Sequence, residues 1–162
     1  MIFFNNENYL QVYYHDERVY SVDIDNEVLV SGSEDKKVQV WNMTSSSQLF
    51  EVAHEGKVFC VKVVGKLVLS CGGKTVRIWN LKDGKLLHKL HLPNLCNNFD
   101  LNAEKTLLAI AHSDGVSIWD FSNVVQIREI ELKWVNDVRF NKRGTTLIVG
   151  QFYGQVFKID LY

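Results

Sequence analysis

A stretch of 24 residues, Val19 to Asn42, recurs along the chain in looser form, and this repetition limits the fold more than any other feature. Within it, Val19/Val22/Ile24 and Val28/Val30 read as alternating apolar runs joined by the turn residues Asp25-Asn26. A third run, Val38/Val40, follows the turn Ser33-Glu34-Asp35. Each run is too short for a helix and has the two-residue period of a half-buried strand, so the unit reads as antiparallel strands joined by hairpins. His15 stands a few residues before it and Trp41-Asn42 closes it. Trp79 follows Trp41 by 38 residues, Trp119 follows Trp79 by 40, and Ile159 stands 40 residues further on in place of a fourth Trp.

A period near forty residues, four strands to a unit, a His before and a Trp-Asn or Trp-Asp after resembles the WD-repeat β-propeller family. The resemblance implies an all-β fold of about four blades, each a four-stranded antiparallel sheet, forming a half-propeller or a small closed ring. It implies one domain over 1–162, with repeats near 15–53, 54–90, 91–131 and 132–162. Residues 1–14 are a candidate closing strand, since Tyr9 to Tyr14 reads as a spare outer strand and the last repeat lacks one. Ile2 to Asn5 duplicates a strand the last blade already has, and the repeat pattern assigns it no place.

In this family a His, a Ser or Thr, an Asp and the Trp form a buried hydrogen-bonded tetrad, and the matching residues are His15, Ser31, Asp35 and Trp41. The chemistry suits the roles, because an indole N–H only donates, a hydroxyl does both, an imidazole relays and a carboxylate only accepts. The second repeat keeps His54, Ser70 and Trp79 but has Gly72-Gly73 where the Asp is expected. The third opens at His91 and keeps Asp114 and Trp119, with Ile110 in the serine position and His112 read as a turn or rim residue. The fourth keeps none.

The formal net charge of −1 on 162 residues gives no reason to expect a nucleic acid or an acidic membrane as partner. A single proline and ten glycines leave no stretch with linker composition. The opening residues MIFFNNENYL have neither a basic leader nor a long apolar run, which predicts a cytoplasmic or nuclear protein. In that compartment the acceptor tripeptide Asn42-Met43-Thr44 stays idle. Cys60, Cys71 and Cys96 lack the spacing of a zinc site or disulfide framework and read as free buried thiols.

Three arrangements invite a chemical reading. His15, Ser31 and Asp35 have the residue types of a hydrolytic triad, yet Ser31 lies in a strand beside Gly32 with no Gly-x-Ser-x-Gly elbow. His15, His54 and His91 occupy successive blades and diverge around the ring, so no metal is expected. Gly72-Gly73-Lys74-Thr75 lacks the upstream glycine and following helix of a phosphate loop, so no cofactor is expected.

The expected function is therefore a non-catalytic protein-interaction scaffold. Trp134 falls outside the tryptophan period, just before the fourth inner strand, where the family has an exposed rim. Arg18, Tyr20, Lys57, Phe59 and Asn136 fall at equivalent places and are the candidate partner-binding residues, aromatic and Arg side chains being frequent interface anchors. A narrower reading is the substrate-recognition propeller of an F-box ubiquitin ligase, whose compact repeats the first two hairpins resemble. Four repeats are fewer than the usual seven, which leaves a closed four-bladed ring, a homodimer completing an eight-bladed ring, or part of a longer propeller.

Overall fold

A computed structural model describes residues 12–161. The described residues contain no helix and fifteen strands in four antiparallel sheets. The first sheet consists of β1 (Val19–Asp25), β2 (Val28–Ser33), β3 (Lys37–Asn42) and β4 (Ser47–Ala53). The second holds β5 (Val58–Val64), β6 (Leu67–Gly72), β7 (Thr75–Asn80) and β8 (Leu86–His91). The third holds β9 (Cys96–Leu101), β10 (Leu107–His112), β11 (Gly115–Asp120) and β12 (Val125–Glu131), and the fourth β13 (Val135–Phe140), β14 (Thr146–Gln151) and β15 (Val156–Asp160). In every sheet strand order follows chain order, so each is a meander folded from consecutive hairpins.

Local sequence accounts for the hairpins. The first turn of each of the first three sheets needs one residue in the left-handed region, supplied by Asn26 (φ 51°), Gly65 (φ 59°) and Lys105 (φ 57°). Asn and Gly take that conformation readily, because a short polar side chain or none avoids the clash with the next carbonyl. Alternation then sets the faces. Val30, Val38 and Val40 of the first sheet pack with Val58, Val61 and Val63 of β5; Leu69, Cys71, Val76 and Ile78 pack with Cys96, Phe99 and Leu101; and Ala109, Ala111, Val116 and Ile118 pack with Val135 and Val138. The core is thus three layers, each held between successive sheets. The innermost strands β1, β5, β9 and β13 lie side by side in that order.

The last sheet has three strands. Residues 1–11 of the expected closing strand lie outside the described residues, and Val12 to Tyr14 carry no strand. Tyr13 instead stacks on Trp41 of the first sheet, ring centroids 4.8 Å apart. Cys60, Cys71 and Cys96 are free. Burial pushes the Cys60 thiol up to about 12 and Cys71 well above its usual value, so neither is a thiolate at neutral pH. No helix among the described residues is long and apolar enough to cross a membrane.

Candidate partner-binding rim

Each sheet begins with the same irregularity. In β1 the ladder pairs Val19 with Ser33 and then Ser21 with Gly32, which leaves Tyr20 as the extra residue of a β-bulge. The same step leaves out Phe59 in β5, Asn97 in β9 and Asn136 in β13. A bulge turns its extra side chain off the regular alternation, so these four residues occupy one equivalent position in successive sheets. Tyr20, Phe59 and Asn136 are the rim candidates predicted from sequence. Asn97 was missed, because nothing in its strand pattern marks it apart from its place 38 residues after Phe59.

Tyr20 and Phe59 meet across the first junction, centroids 5.2 Å apart and planes tilted by 43°. Glu34, in the turn between β2 and β3, accepts hydrogen bonds from the Tyr20 hydroxyl at 3.0 Å and from Lys57 Nζ. The Lys57 bond and then the Tyr20 bond hold the Glu34 carboxyl below its ordinary range, and Glu34 raises Lys57 in turn. Glu34 N–H also donates to the Arg18 carbonyl, which places Arg18 at the edge of this patch. Arg18, Tyr20, Lys57 and Phe59 therefore form one aromatic and charged cluster.

Trp134 and Asn136 lie on the fourth sheet, apart from that cluster. Trp134 sits in the left-handed region at φ 61°, unusual for a bulky residue, and is fixed there by backbone bonds from its N–H to Ser113 O and from Phe152 N–H to its own carbonyl. Its ring is 55% exposed and stands edge-on to Tyr153, which is 75% exposed, at 5.9 Å. Phe152 and Tyr153 went unnoticed in the sequence, although an aromatic pair in the turn before Gly154 was a visible signal. Beside them, Pro93, His112, Asp114, Glu129, Glu131, Leu132 and Lys133 line a cleft of about 520 Å³.

Beneath the rim, the expected tetrad is divided between two sheets. In the first, His15 Nδ1 lies 2.8 Å from Asp35 Oδ2 and His15 Nε2 lies 2.7 Å from Ser31 Oγ. A carboxylate only accepts, so Nδ1 carries the proton and Nε2 takes the Ser31 hydroxyl hydrogen. Burial pushes the Asp35 carboxyl up, but hydrogen bonds from His15 and the Lys37 N–H outweigh it and hold the group low. Trp41 Nε1 is buried without a partner among the described residues, contrary to its expected bond to Ser31. In the second sheet the Trp half is made: Trp79 Nε1 donates to Ser70 Oγ at 2.7 Å, and His54 Nε2 lies 2.7 Å from the same oxygen.

The third sheet departs further from expectation. His91 ends β8 and is exposed, while Leu92, four residues before Cys96 as His54 is before Val58, takes the tetrad place and is buried. Trp119 Nε1 has no partner among the described residues. His112, read as a turn or rim residue, is fully buried. Its Nδ1 accepts from Asp114 N–H at 3.3 Å, so Nε2 donates to Glu129 Oε1 at 2.8 Å, and Ser117 Oγ donates to Glu129 Oε2 at 2.6 Å. Gly115, across the hairpin from His112, leaves room for this cluster. Asp114 holds Asn94 and Lys133 instead of a His.

Ser31, His15 and Asp35 have the connectivity of a hydrolytic relay, but the His15 and Asp35 side chains are only 2% and 5% exposed and Ser31 is buried within the β2 ladder. The cluster can hold strands together and cannot receive a substrate. Among the described residues no group of three or more His, Cys, Asp or Glu side chains is arranged to hold a metal ion.

Burial lowers the pKa of His54 to about 4. Unfolding raises it to about 6.5, so between those values the unfolded chain binds more protons and stability falls as pH falls. Denaturant titrations should show stability flat in this contribution above about pH 6.5 and falling towards pH 4, with a slope approaching about 1.4 kcal/mol per pH unit. The variant His54→Gln should lose that step; an unchanged slope would assign it to other groups.

Comparison with known proteins agrees with this geometry. The family model described as "WD domain, G-beta repeat" matches residues 7–42 and 46–80. The chain is 29% identical over 142 residues to the small ribosomal subunit protein RACK1y of Oryza sativa subsp. japonica, covering 79% of this chain and 42% of that protein. It is 30% identical over 116 residues to the small ribosomal subunit protein RACK1 of Drosophila melanogaster (68% and 36%), and 31% identical over 83 residues to the ribosome biogenesis protein YTM1 of Eremothecium gossypii (50% and 19%). The chain thus spans less than half the length of these relatives. Among solved structures, the computationally designed Ika4 protein superposes with a TM-score of 0.83 at 18% identity, covering 94% of this chain and 96% of that one. The designed Ika8 protein superposes at 0.79 and 19% identity, and there 91% of this chain occupies 47% of the other. Residues 7–42 and 46–80 are thus WD repeats by family match, and the antiparallel meanders that follow them carry the same WD-repeat β-propeller architecture through the described chain.

Proposed function

We propose that this chain is a non-catalytic interaction module of the cytoplasm or nucleus that binds a partner protein or peptide, rather than a nucleic acid or a membrane, on its rim. The observation that carries this reading is the Trp134–Tyr153 pair, two large aromatic rings braced edge to edge and left open to solvent on a backbone fixed by hydrogen bonds. Such rigid aromatic surface loses little conformational freedom on docking and is the usual material of an interface anchor. The Tyr20–Phe59 patch with Arg18 and Lys57 is a second contact on the same rim. A net charge of −1 supports a protein partner. A second copy of the chain, completing an eight-bladed ring, is a further partner, held at the open blade faces and not on the rim.

The names of the relatives make a ribosomal particle the first partner to test. Purified chain should co-sediment with purified ribosomal subunits, and Trp134→Ala should weaken the association by about tenfold or more, as expected for an aromatic anchor. The pair Arg18→Glu with Lys57→Glu should weaken it further. Absence of co-sedimentation would discard the ribosomal particle; co-sedimentation unaffected by all three changes would move the site off the rim.

A further inference from the structure

We propose that the two ends of this arc of blades dock onto the opposite ends of a second copy, with Gly150 and Arg139 of one chain receiving Val19, Val22 and Asp23 of the other. The idea deepens the second-copy reading above and is independent of the rim. Among the described residues β1 is not joined to β13 as it is to β5, which leaves the first and fourth sheets unjoined by their inner strands. Val19, Val22 and Ile24 are accordingly 48%, 63% and 58% exposed, whereas Val58, Val61 and Val63, at the same ladder positions of β5, are 0%, 3% and 8% exposed. The first sheet therefore presents an unfilled junction face, of the same residue types as a filled one.

The fourth sheet presents the complementary half. Ladder register places Ile148, Gly150 and Val156 where the first sheet has Val30, Gly32 and Val38. At the filled junction Gly32 is obligatory, since a Cβ there would lie 2.6 Å from Val58 Cγ1 and 2.8 Å from Val61 Cγ1. Gly150 repeats that missing side chain, yet a Cβ on it would meet nothing within 4 Å. A glycine that makes a seat for two valines is thus empty, and the two valines that would fill it, Val19 and Val22, stand exposed at the other end of the same chain.

Charge selects the occupant. One position of the inner strands reads Asp23, Lys62, Asp100 and Arg139 in successive sheets. Lys62 Nζ reaches forward to Asp100 Oδ1 at 2.8 Å across the second junction. Arg139, 52% exposed, pairs with Asp137 on its own strand at 3.3 Å and reaches back to Asn98 Oδ1 and the Phe99 carbonyl at 3.4 Å, and among the described residues it meets no acid at the matching position of a following sheet. The alternation calls for an acid next, and Asp23 of a second copy supplies it. Two copies related by a two-fold axis satisfy both open ends at once, which closes the assembly instead of extending it. Exposed apolar faces of this kind are otherwise a route to aggregation.

Light scattering on a size-exclusion column should give the purified 162-residue chain the mass of two chains. Gly150→Leu should give the mass of one with its far-ultraviolet dichroism retained, because the free chain has room for the side chain. Arg139→Asp and Asp23→Asn should each raise the dissociation constant at least tenfold, the Asn keeping the acceptor that Asp23 Oδ2 offers to the Val63 N–H at 2.7 Å within the chain. Trp134→Ala should leave the mass unchanged, which separates this contact from the rim. A single-chain mass for the unmodified protein, an open-ended ladder of masses, or a dimer indifferent to Gly150→Leu and both charge changes would overturn the proposal.

Discussion

Ser70→Ala is expected to destabilise the protein by about 2–6 kcal/mol, because it orphans two buried groups at roughly 1–3 kcal/mol each. Ser70 is fully buried, and its oxygen is the shared partner of Trp79 Nε1 and His54 Nε2, both at 2.7 Å. His54 Nδ1 already has no partner among the described residues, so the ring has nothing to turn towards. Ser31→Ala is the informative comparison. It removes one partner from His15 alone, since Trp41 Nε1 does not reach Ser31, and should lose about half as much. Equilibrium denaturation of the two variants measures the difference. Equal losses would mean that the Trp79 bond contributes nothing, and a Ser31→Ala protein with unchanged stability and an abolished hydrolytic turnover would replace the structural role with a catalytic one.

Gly115→Ala should be comparably damaging, by about 3 kcal/mol or more, through overpacking that the backbone cannot relieve. A Cβ at Gly115 would lie 2.1 Å from the Ile130 carbonyl oxygen and 3.2 Å from Glu129 Oε1. The first of these is backbone, so β11 and β12 would have to part where Gly115 pairs with Glu131. The strain falls beside the His112–Ser117–Glu129 cluster, whose bonds depend on Glu129 staying opposite Ser117. Chemical denaturation measures the loss, and hydrogen exchange in β12 should rise with it. A loss under about 1 kcal/mol would show that the two strands can shift past each other at little cost.

Much of the fold was legible because its signals are local. Alternation in Val19/Val22/Ile24 and the turn residues at Asn26 and Gly65 specify hairpins within about a dozen residues. The tryptophan period set the number of sheets, and the same period picks out Tyr20, Phe59 and Asn136 as equivalent positions and candidate rim residues. The bulge that makes those positions equivalent is a property of ladder register and left no mark in composition. Register also explains the errors. A one-residue offset separates His91 from the tetrad place taken by Leu92, and in a strand one residue exchanges the exposed face for the buried one. His112 was misplaced for want of its partner Glu129, which belongs to the next strand but one in the chain and is brought beside it only by pairing.

The sequence by itself determined the strands, their hairpins and the repetition of one blade design, since those depend on side-chain alternation and turn chemistry within each unit of about forty residues. Only the tertiary structure decided which polar groups are satisfied, that Trp41 Nε1 and Trp119 Nε1 are left without partners among the described residues, and that the valines of β1 face solvent while their counterparts in β5 are covered. The physical reason is the same throughout. Alternation chooses the face on which a side chain emerges, but what covers that face is a neighbouring sheet some forty residues away, and among the described residues no such sheet covers the valines of β1.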